Sequence, residues 1–489
     1  MNPSSMTRRF LPLAASLALL LAGSCRSVGP VTMPRATPIP TTFGTVTDTT
    51  SVTDTVSMAN QQWQHFFADP NLVALLDTAI RSNPDLGIAM QRVEAARANV
   101  FITRGALLPA ITGVASAGVE RYGKYTLNGT GNYDTNLSPN IDGRRLIPNP
   151  TPDFFLGLRS AWELDIWGKL RNRRRAAFLR VLATEKGRQF VQTALVAEVA
   201  RLYYTLLALD NELVVLGKNR ALQERAVEIV KIQKAGGRAT ELAVQQFIAQ
   251  LLRTRSLQYE ARQRVVAAEN ELNRLLGRYP QPITRGEPIG VQPLPASVAA
   301  GVPATMLLRR PDVQQAELEL TAAKADVAAA RAAFLPSLVL TPYVGFNAYR
   351  TSVLLNPSSL AYGLLGGLTG PILNRAPLRA DYARSAAEQR TAYYEYQKAV
   401  QTGFEEVVTN LKGIENYQRM YELQQQEVEA LNKAVDISND LYGVNYSSYL
   451  EVITAQRNVL EAELNITKTR REQFLLLIDL YRALGGGWE

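Results

Sequence analysis

The chain has almost no cysteine and almost no histidine: Cys25 and His65 stand alone in 489 residues. One cysteine excludes an intrachain disulfide, and one of each excludes a Cys/His metal site. No serine or cysteine nucleophile motif accompanies His65, so Ser-His and Cys-His catalysis are not expected. Gly-rich phosphate loops of the Walker or Rossmann type are missing as well, and no pair of carboxylates is marked out for acid–base work. We therefore expect no enzymatic activity and no cofactor. Charge of one sign is not concentrated either: 53 Lys and Arg mingle with 44 Asp and Glu, for a net charge of +9. A basic balance suits nucleic acid or an anionic membrane. With no zinc-finger, RRM or helix-turn-helix pattern, nucleic acid is not an expected partner, and most of these charges read as solvated faces.

The N-terminal apolar run, Phe10 to Ala22 behind Arg8 and Arg9, is too short to span a bilayer as a stable helix and reads as an export signal. It ends in LAGSC. The small residues Ala22, Gly23 and Ser24 before Cys25 resemble a bacterial lipobox, in which the cysteine is lipidated, with palmitate the expected acyl group, and becomes the first mature residue. The box usually places Leu three before the Cys; here that position is Ala22, with Leu21 one place earlier. An ordinary signal peptide with an incidental Cys is the alternative, and either takes the mature chain out of the cytoplasm. The expected segments are thus a signal peptide at 1–24 and, at 25–59, a lipidated extended tether rich in Pro, Thr, Ser and Val.

What the chain does have is a repetition. Residues 82–109 read SNPDLGIAMQRVEAARANVFITRGALLP, and residues 309–336 read RRPDVQQAELELTAAKADVAAARAAFLP, 227 positions later. Pro84 and Pro311 stand where helices start, with Asn83 as a candidate N-cap. The Ala-rich stretches that follow are good helix formers, and Pro109 and Pro336 end them. The register continues, Gly118 answering Gly345 and Tyr122 answering Tyr349.

After each of those prolines the period changes from helix to strand. In FFLGLRSAWELDIW, Phe154, Leu156, Leu158, Trp162, Leu164 and Ile166 point one way, while Gly157, Arg159, Glu163 and Asp165 point the other. LAYGLLGGLTGPI from Leu360 alternates too; LVLTPYVGFNAYR and ITGVASAGVERY do so more weakly. Each copy then has two strands of about a dozen residues, enough to cross a bilayer when tilted. Beyond them the repeat resumes at an offset of 208: Glu198-Val199 matches Glu406-Val407, and LNRLLG matches LYRALG. The drop from 227 to 208 places 19 extra residues in GKYTLNGTGNYDTNLSPNIDGRRLIPNP, read as a long loop. Long loops on outer-membrane barrels face outside.

The next helices are very long. Residues 168–235 contain no proline, and at 1.5 Å per residue they extend about 100 Å. Leu195, Val199, Leu202, Leu206, Leu209, Leu213 and Leu216 are spaced as a coiled-coil seam; any helical hairpin would show such a stripe, but not that length. The chain turns at AGGRAT and returns from Thr240 to about Leu276. The second copy turns at YGVNYSS, after a helix from about Leu378 to Tyr442, and returns from Ser448 to Leu484. Asn445 stands where Gly237 stood, and Ser448 with Glu451 forms a capping box. The first structural repeat is placed at 60–290, a linker at 291–302 and the second repeat at 303–489. Four strands cannot close, lipid does not tolerate open edges, and membrane barrels start at eight strands. Several copies must therefore share one barrel.

WQHFFADPNL (63–72), NPDL (83–86), WELDIWGKLRN (162–172), GGRATEL (236–242), LLRRPDVQQAE (307–317), FLPSL (334–338), SYLEVITAQRNVL (448–460) and LGGGW (484–488) together resemble the TolC-type outer-membrane efflux family, in particular its lipoprotein branch. The resemblance covers about 60–489. It implies an α+β membrane protein: a homotrimer whose four strands per protomer make a 12-stranded transmembrane β-barrel continuing into a long periplasmic α-helical barrel. It also implies a passive exit duct for drugs or toxic small molecules. Its implied partners are outer-membrane lipid, a periplasmic adaptor (membrane fusion) protein and an inner-membrane pump that supplies the energy. The sequence departs from the family at Val31-Thr32, where Asp-Tyr is frequent, and at Ser447, where many relatives carry Asp.

Candidate residues follow from this frame. The turns Gly236, Gly237, Arg238 and Thr240, and Gly443, Asn445, Ser447 and Ser448, are candidates for adaptor docking, or are simply tight turns. Asp436 and Asp440, spaced i,i+4 before the second turn, make either a lumen-facing acidic ring at a pore constriction or a solvated helix face. Trp162 and Trp167, followed by Lys169, Arg171, Arg173, Arg174 and Arg175, suit an aromatic belt and cations at the lipid interface, or a hydrated helix. Two alternative functions stay open: the duct of a type I protein secretion system and a structural periplasmic coiled-coil lipoprotein. A periplasmic hydrolase lacks a site.

Overall fold

The computed structural model describes residues 30–35, 38–40, 43, 58, 61–141, 143, 145–294, 303–371, 375–444 and 446–488. Cys25, Asn445, the signal peptide and most of the tether lie outside these residues. In chain order the elements are α1 (Trp63–Phe66), α2 (Pro70–Ser82), α3 (Pro84–Gly105), β1 (Ala110–Glu120), α4 (Leu127–Asn136), β2 (Thr151–Leu164), α5 (Lys169–Ala235), α6 (Glu241–Leu275), α7 (Pro303–Arg309), α8 (Pro311–Ala332), β3 (Ser337–Ala348), β4 (Leu360–Thr369), α9 (Ala376–Gly443) and α10 (Tyr449–Ala483). The chain divides into two compact units. One comprises 102–176 and 323–391 with the segment up to 36; the other comprises 37–101, 177–322 and 392–489.

The first unit holds one antiparallel sheet in the order β1-β2-β3-β4. Helix α3 stops where proline forbids continuation, and Trp162 donates its indole N–H to the freed Leu107 carbonyl at 3.0 Å. The β1–β2 connection, expected as irregular loop, contains α4. Its residues are poor helix formers, so propensity alone does not predict it. Two side chains hold it: Thr126 accepts the Gly129 amide at 3.1 Å, and Asn136 bonds both the amide and the carbonyl of Ile147, each at 2.9 Å. The β3–β4 connection folds into two 3-10 turns, at Thr351–Val353 and Pro357–Ser359. Arg350 joins the two connections by donating to the Leu146 carbonyl at 3.2 Å.

In the second unit the predicted seam of α5 is buried. Leu195, Val199, Leu206, Leu209 and Leu216 are core residues, with Leu202 and Leu213 packed beside them. The WQHFFADPNL segment docks on this core through Asp69. Its carboxylate accepts the Asn71 amide at the start of α2 at 2.9 Å, the Tyr203 hydroxyl at 2.5 Å and the Gln292 side-chain amide at 3.1 Å. Burial, then the bond to Asp69, pushes the Tyr203 hydroxyl well above its ordinary range. The tether is not wholly unpacked: Phe43 is buried against Met306, Val407, Leu480 and the Phe404 ring, because a phenyl ring gains by leaving water for apolar surface.

The duplication has a physical counterpart in this unit. Asn83, between α2 and α3, donates to the Leu275 carbonyl at the end of α6 at 2.8 Å. Arg310, between α7 and α8, donates to the Ala483 carbonyl at the end of α10 at 3.0 Å. Position 310 lies 227 after 83, and 483 lies 208 after 275, the two offsets of the sequence repeat. Each copy closes its helix junction with the same bond.

Candidate functional sites on the sheet and at the helix tips

The register assigns the two faces of the sheet. Leu156 lies between Ala115 and Phe346, and Leu158 between Gly113 and Val344; Val344 pairs onward with Tyr362 and Phe346 with Leu360. In these rows the face is apolar from edge to edge and many of its large side chains are solvent-exposed, Leu158 at 49% and Leu364 at 70%. An exposed apolar surface of this extent needs a nonaqueous partner. Thr112, Ser116, Asp153, Arg159, Glu163, Tyr343, Thr341 and Asn347 alternate with these residues onto the opposite, polar face. Among the described residues no helix is long and apolar enough to cross a membrane, and the apolar surface belongs to strands.

Below β2 the chain enters α5 through Gly168, whose φ of +77° favours glycine. Asp165 caps the helix: its carboxylate accepts the Leu170 amide at 2.9 Å, the Arg171 amide at 2.8 Å and Arg171 Nε at 3.1 Å. Arg171 is thus oriented toward Asp165 rather than extended outward. Arg173 is exposed. Trp167 is half-exposed and donates to the Pro336 carbonyl at 2.7 Å. Lys169 pairs with Glu163 at 2.5 Å. The Asp-x-x-Gly ahead of the helix is the local sequence signal for this cap, distinct from the aromatic and basic pattern around it.

The first helix tip is a Schellman turn. Gly237 has φ +71°; the Arg238 amide bonds the Gln233 carbonyl at 2.8 Å and the Gly237 amide bonds the Lys234 carbonyl at 2.9 Å. Thr240 caps the return helix by accepting the Ala243 amide. Lys234 and Glu241 pair across the turn, and the Lys234 ammonium, then the Gln245 amide, hold the Glu241 carboxyl below its ordinary range. At the second tip the Tyr446 amide reaches back to the Leu441 carbonyl at 2.9 Å. The capping box forms as read: Glu451 accepts the Ser448 amide at 2.8 Å, and the Ser447 hydroxyl also bonds its carboxylate. The Ser447 hydroxyl, then the Ser448 amide, lower the Glu451 carboxyl. The structure brings the two tips together over one apolar cluster, in which Val227, Val230, Val244, Phe247 and Val452 pack with Tyr442 and Tyr449 at its rim. Asp436 and Asp440 are both exposed on α9.

A family model described as Outer membrane efflux protein matches residues 75–278 and 302–486. The solvent efflux pump outer membrane protein SrpC of Pseudomonas putida is 31% identical over 479 residues, covering 96% of this chain and 97% of SrpC. The probable outer membrane lipoprotein SilC of Salmonella typhimurium is 28% identical over 477 residues, covering 97% of this chain and 98% of SilC. A crystal structure of CusC, described for its transmembrane channel formation, matches with a TM-score of 0.80 at 26% identity, over 94% of this chain and all of the CusC chain.

Proposed function

This chain belongs to the outer membrane efflux protein family, and from that membership we propose that it forms the outer-membrane duct of a tripartite efflux system, a passive exit for toxic small molecules. The observation that carries the proposal is the sheet: four strands, two open edges at β1 and β4, and one face that is apolar but for Ser160 and the Tyr362 hydroxyl. Lipid forbids open edges, so β1 of one copy must meet β4 of the next, and three copies supply twelve strands. A periplasmic adaptor and an inner-membrane pump supply docking and energy, in keeping with the lack of any nucleotide motif. A lipidated Cys25 holds the N-terminus at the membrane; the intact mass of the purified chain, with or without acyl groups, decides this. The similarity to SrpC, a solvent efflux pump protein, favours small molecules over protein secretion, and the sheet argues against a purely structural coiled-coil lipoprotein.

The direct test is conductance of the purified protein in a planar bilayer. A heat-modifiable trimer with discrete channel steps is expected; a monomeric particle without conductance overturns the proposal. In the same assay Asp436→Asn with Asp440→Asn is expected to lower cation preference or change conductance, since three copies would repeat these exposed carboxylates as a ring. Unchanged values would leave them as a hydrated helix face.

Docking through the tips has its own probe in Gly443, because a Cβ added there meets nothing within 4 Å, leaving the first atom of a side chain unobstructed. Gly443→Trp should therefore keep the trimer while abolishing the resistance the system confers. Resistance retained at the parental drug concentration would remove this tip from the docking surface.

A further inference from the structure

On the polar face of the sheet, glycines make room for two aromatic rings, and one ring carries a cation. Gly157 pairs with Gly345, and a methyl group on either would come within 3.0 Å of the Phe155 ring. One register row further along, Gly363 faces Tyr343, and a methyl group there would lie 2.5 Å from the Tyr343 ring. Phe155 and Tyr343 meet edge to face, with centroids 6.2 Å apart. Phe155 is 4% exposed despite its place on the polar face, and the Arg159 guanidinium lies 4.4 Å above its ring. Arg159 itself is exposed.

The charges along this face are sparse. Among the residues of the four strands Arg159 is the only Lys or Arg, and Glu120, Asp153 and Glu163 are the only carboxylates. Glu163 is paired with Lys169. Asp153 is six residues away along β2, roughly 20 Å at strand rise, beyond the screening length of about 10 Å in 0.1 M salt. Beside Arg159 across the sheet stand Thr112 and Tyr343, neither of which carries charge at neutral pH.

We propose that Arg159, seated on Phe155, is a selectivity residue: three copies form a cationic ring inside the barrel that favours anionic solutes, including anions that carry an aromatic ring. The inference rests on the barrel reading, in which the polar face lines the lumen, and it adds to that reading which charge a permeating solute meets in the strand region. Rings of Arg or Lys are a general device for anion preference. The aromatic seat fixes the guanidinium against the wall through a cation–π contact, so its charge projects inward without closing the passage.

The experiment uses the full-length trimer in a planar bilayer under a KCl gradient, comparing parental protein with Arg159→Lys, Arg159→Gln and Arg159→Glu. Block by naphthalene-1,3,6-trisulfonate is measured on the same channels. The chloride-to-potassium permeability ratio is expected to fall about two- to threefold in Arg159→Gln and further in Arg159→Glu, to be kept in Arg159→Lys, and to change in parallel with trisulfonate affinity. Heat-modifiability on gels establishes that each variant is a trimer; if Arg159→Glu does not assemble, the Gln and Lys pair decides. Conducting trimers whose ratio and block are unchanged in Arg159→Gln overturn the proposal. A Lys variant as altered as the Gln variant also overturns it, since the residue would then act by packing on Phe155 and not by charge. Parental protein that assembles no conducting channel refutes the barrel reading itself, a different result from either.

Discussion

Arg310→Ala is expected to destabilise the folded chain by roughly 3–5 kcal/mol, the usual consequence of removing one partner from a buried ion network. The Arg310 side chain is 4% exposed and serves three elements at once. Nε and Nη2 form a fork on Asp312, at 3.0 and 2.7 Å. Nη1 reaches Glu406 of α9 at 2.7 Å and the Ala483 carbonyl at the end of α10 at 3.0 Å. Truncation strands the Asp312 carboxylate and leaves the α10 carbonyl without its donor, while Glu406 keeps Arg482 at 3.0 Å. Burial opposes the charge on Arg310, but the hydrogen bond and charge of Asp312, with Glu406, outweigh it and raise the guanidinium further. A raised basic group stabilises the fold below its unfolded value and loses that contribution only as pH climbs through the folded one. The Arg310 contribution should therefore be flat across all ordinary pH and fade only in strong alkali. Arg310→Lys should fall between the parent and Ala, because a single ammonium cannot reproduce the fork and also reach the carbonyl. The midpoint of trimer dissociation on heating checks both variants; an Ala midpoint within error of the parent would show that the network is dispensable.

The Arg310 network also marks where sequence reading stops. Strands, long helices, both turns and the Ser448–Glu451 box were legible because each depends on residues within a few positions of one another. Thus Glu451 and Ser448 are three apart, and the α5 seam is a local period. Pairings across the chain were not legible. Asp69 finds Tyr203 from 134 positions away, and Arg310 finds Ala483 from 173. Neither residue is distinguished by its neighbours except as part of a family motif. Helix α4 shows the converse: its Gly- and Asn-rich sequence reads correctly as a poor helix former, and the bond from Asn136 to Ile147 decides otherwise. Of the candidate sites, the tip turns are where their glycines and caps implied. Arg171, a candidate either for the lipid interface or for a hydrated helix, also bonds Asp165 six residues earlier, a pairing its place in the basic run does not signal. Arg159 carried a readable sign, a lone cation on the polar side of an alternating strand, but its aromatic seat depends on Gly345 in another strand.

The second large effect concerns Gly277. Its φ is +66°, and a side-chain carbon there would sit 2.2 Å from the Ser82 carbonyl oxygen and 2.9 Å from the Ser82 carbonyl carbon. Those are backbone atoms at the end of α2, and they cannot retreat without pulling Asn83 off the Leu275 carbonyl. Gly277→Ala should cost about 1–2 kcal/mol for the left-handed backbone and a further 1–3 kcal/mol or so for overpacking, with Gly277→Val preventing trimer recovery altogether. The repeat supplies a second, independent case. Gly485, 208 positions on, has φ +90°, and a carbon on it would lie 2.8 Å from the Arg309 carbonyl carbon and 2.9 Å from the Arg310 nitrogen. Arg309 is 227 after Ser82, so each copy seats a left-handed glycine on the residue before its helix junction. The control is Gly87, inside α3 with nothing within 4 Å of an added carbon. There Ala should be neutral or stabilise by about 0.5–1 kcal/mol. Trimer midpoints for the three alanine variants separate a steric requirement from a general sensitivity to glycine replacement: loss at 277 and 485 with none at 87 is the expected result, and equal midpoints at all three would show that the junction yields.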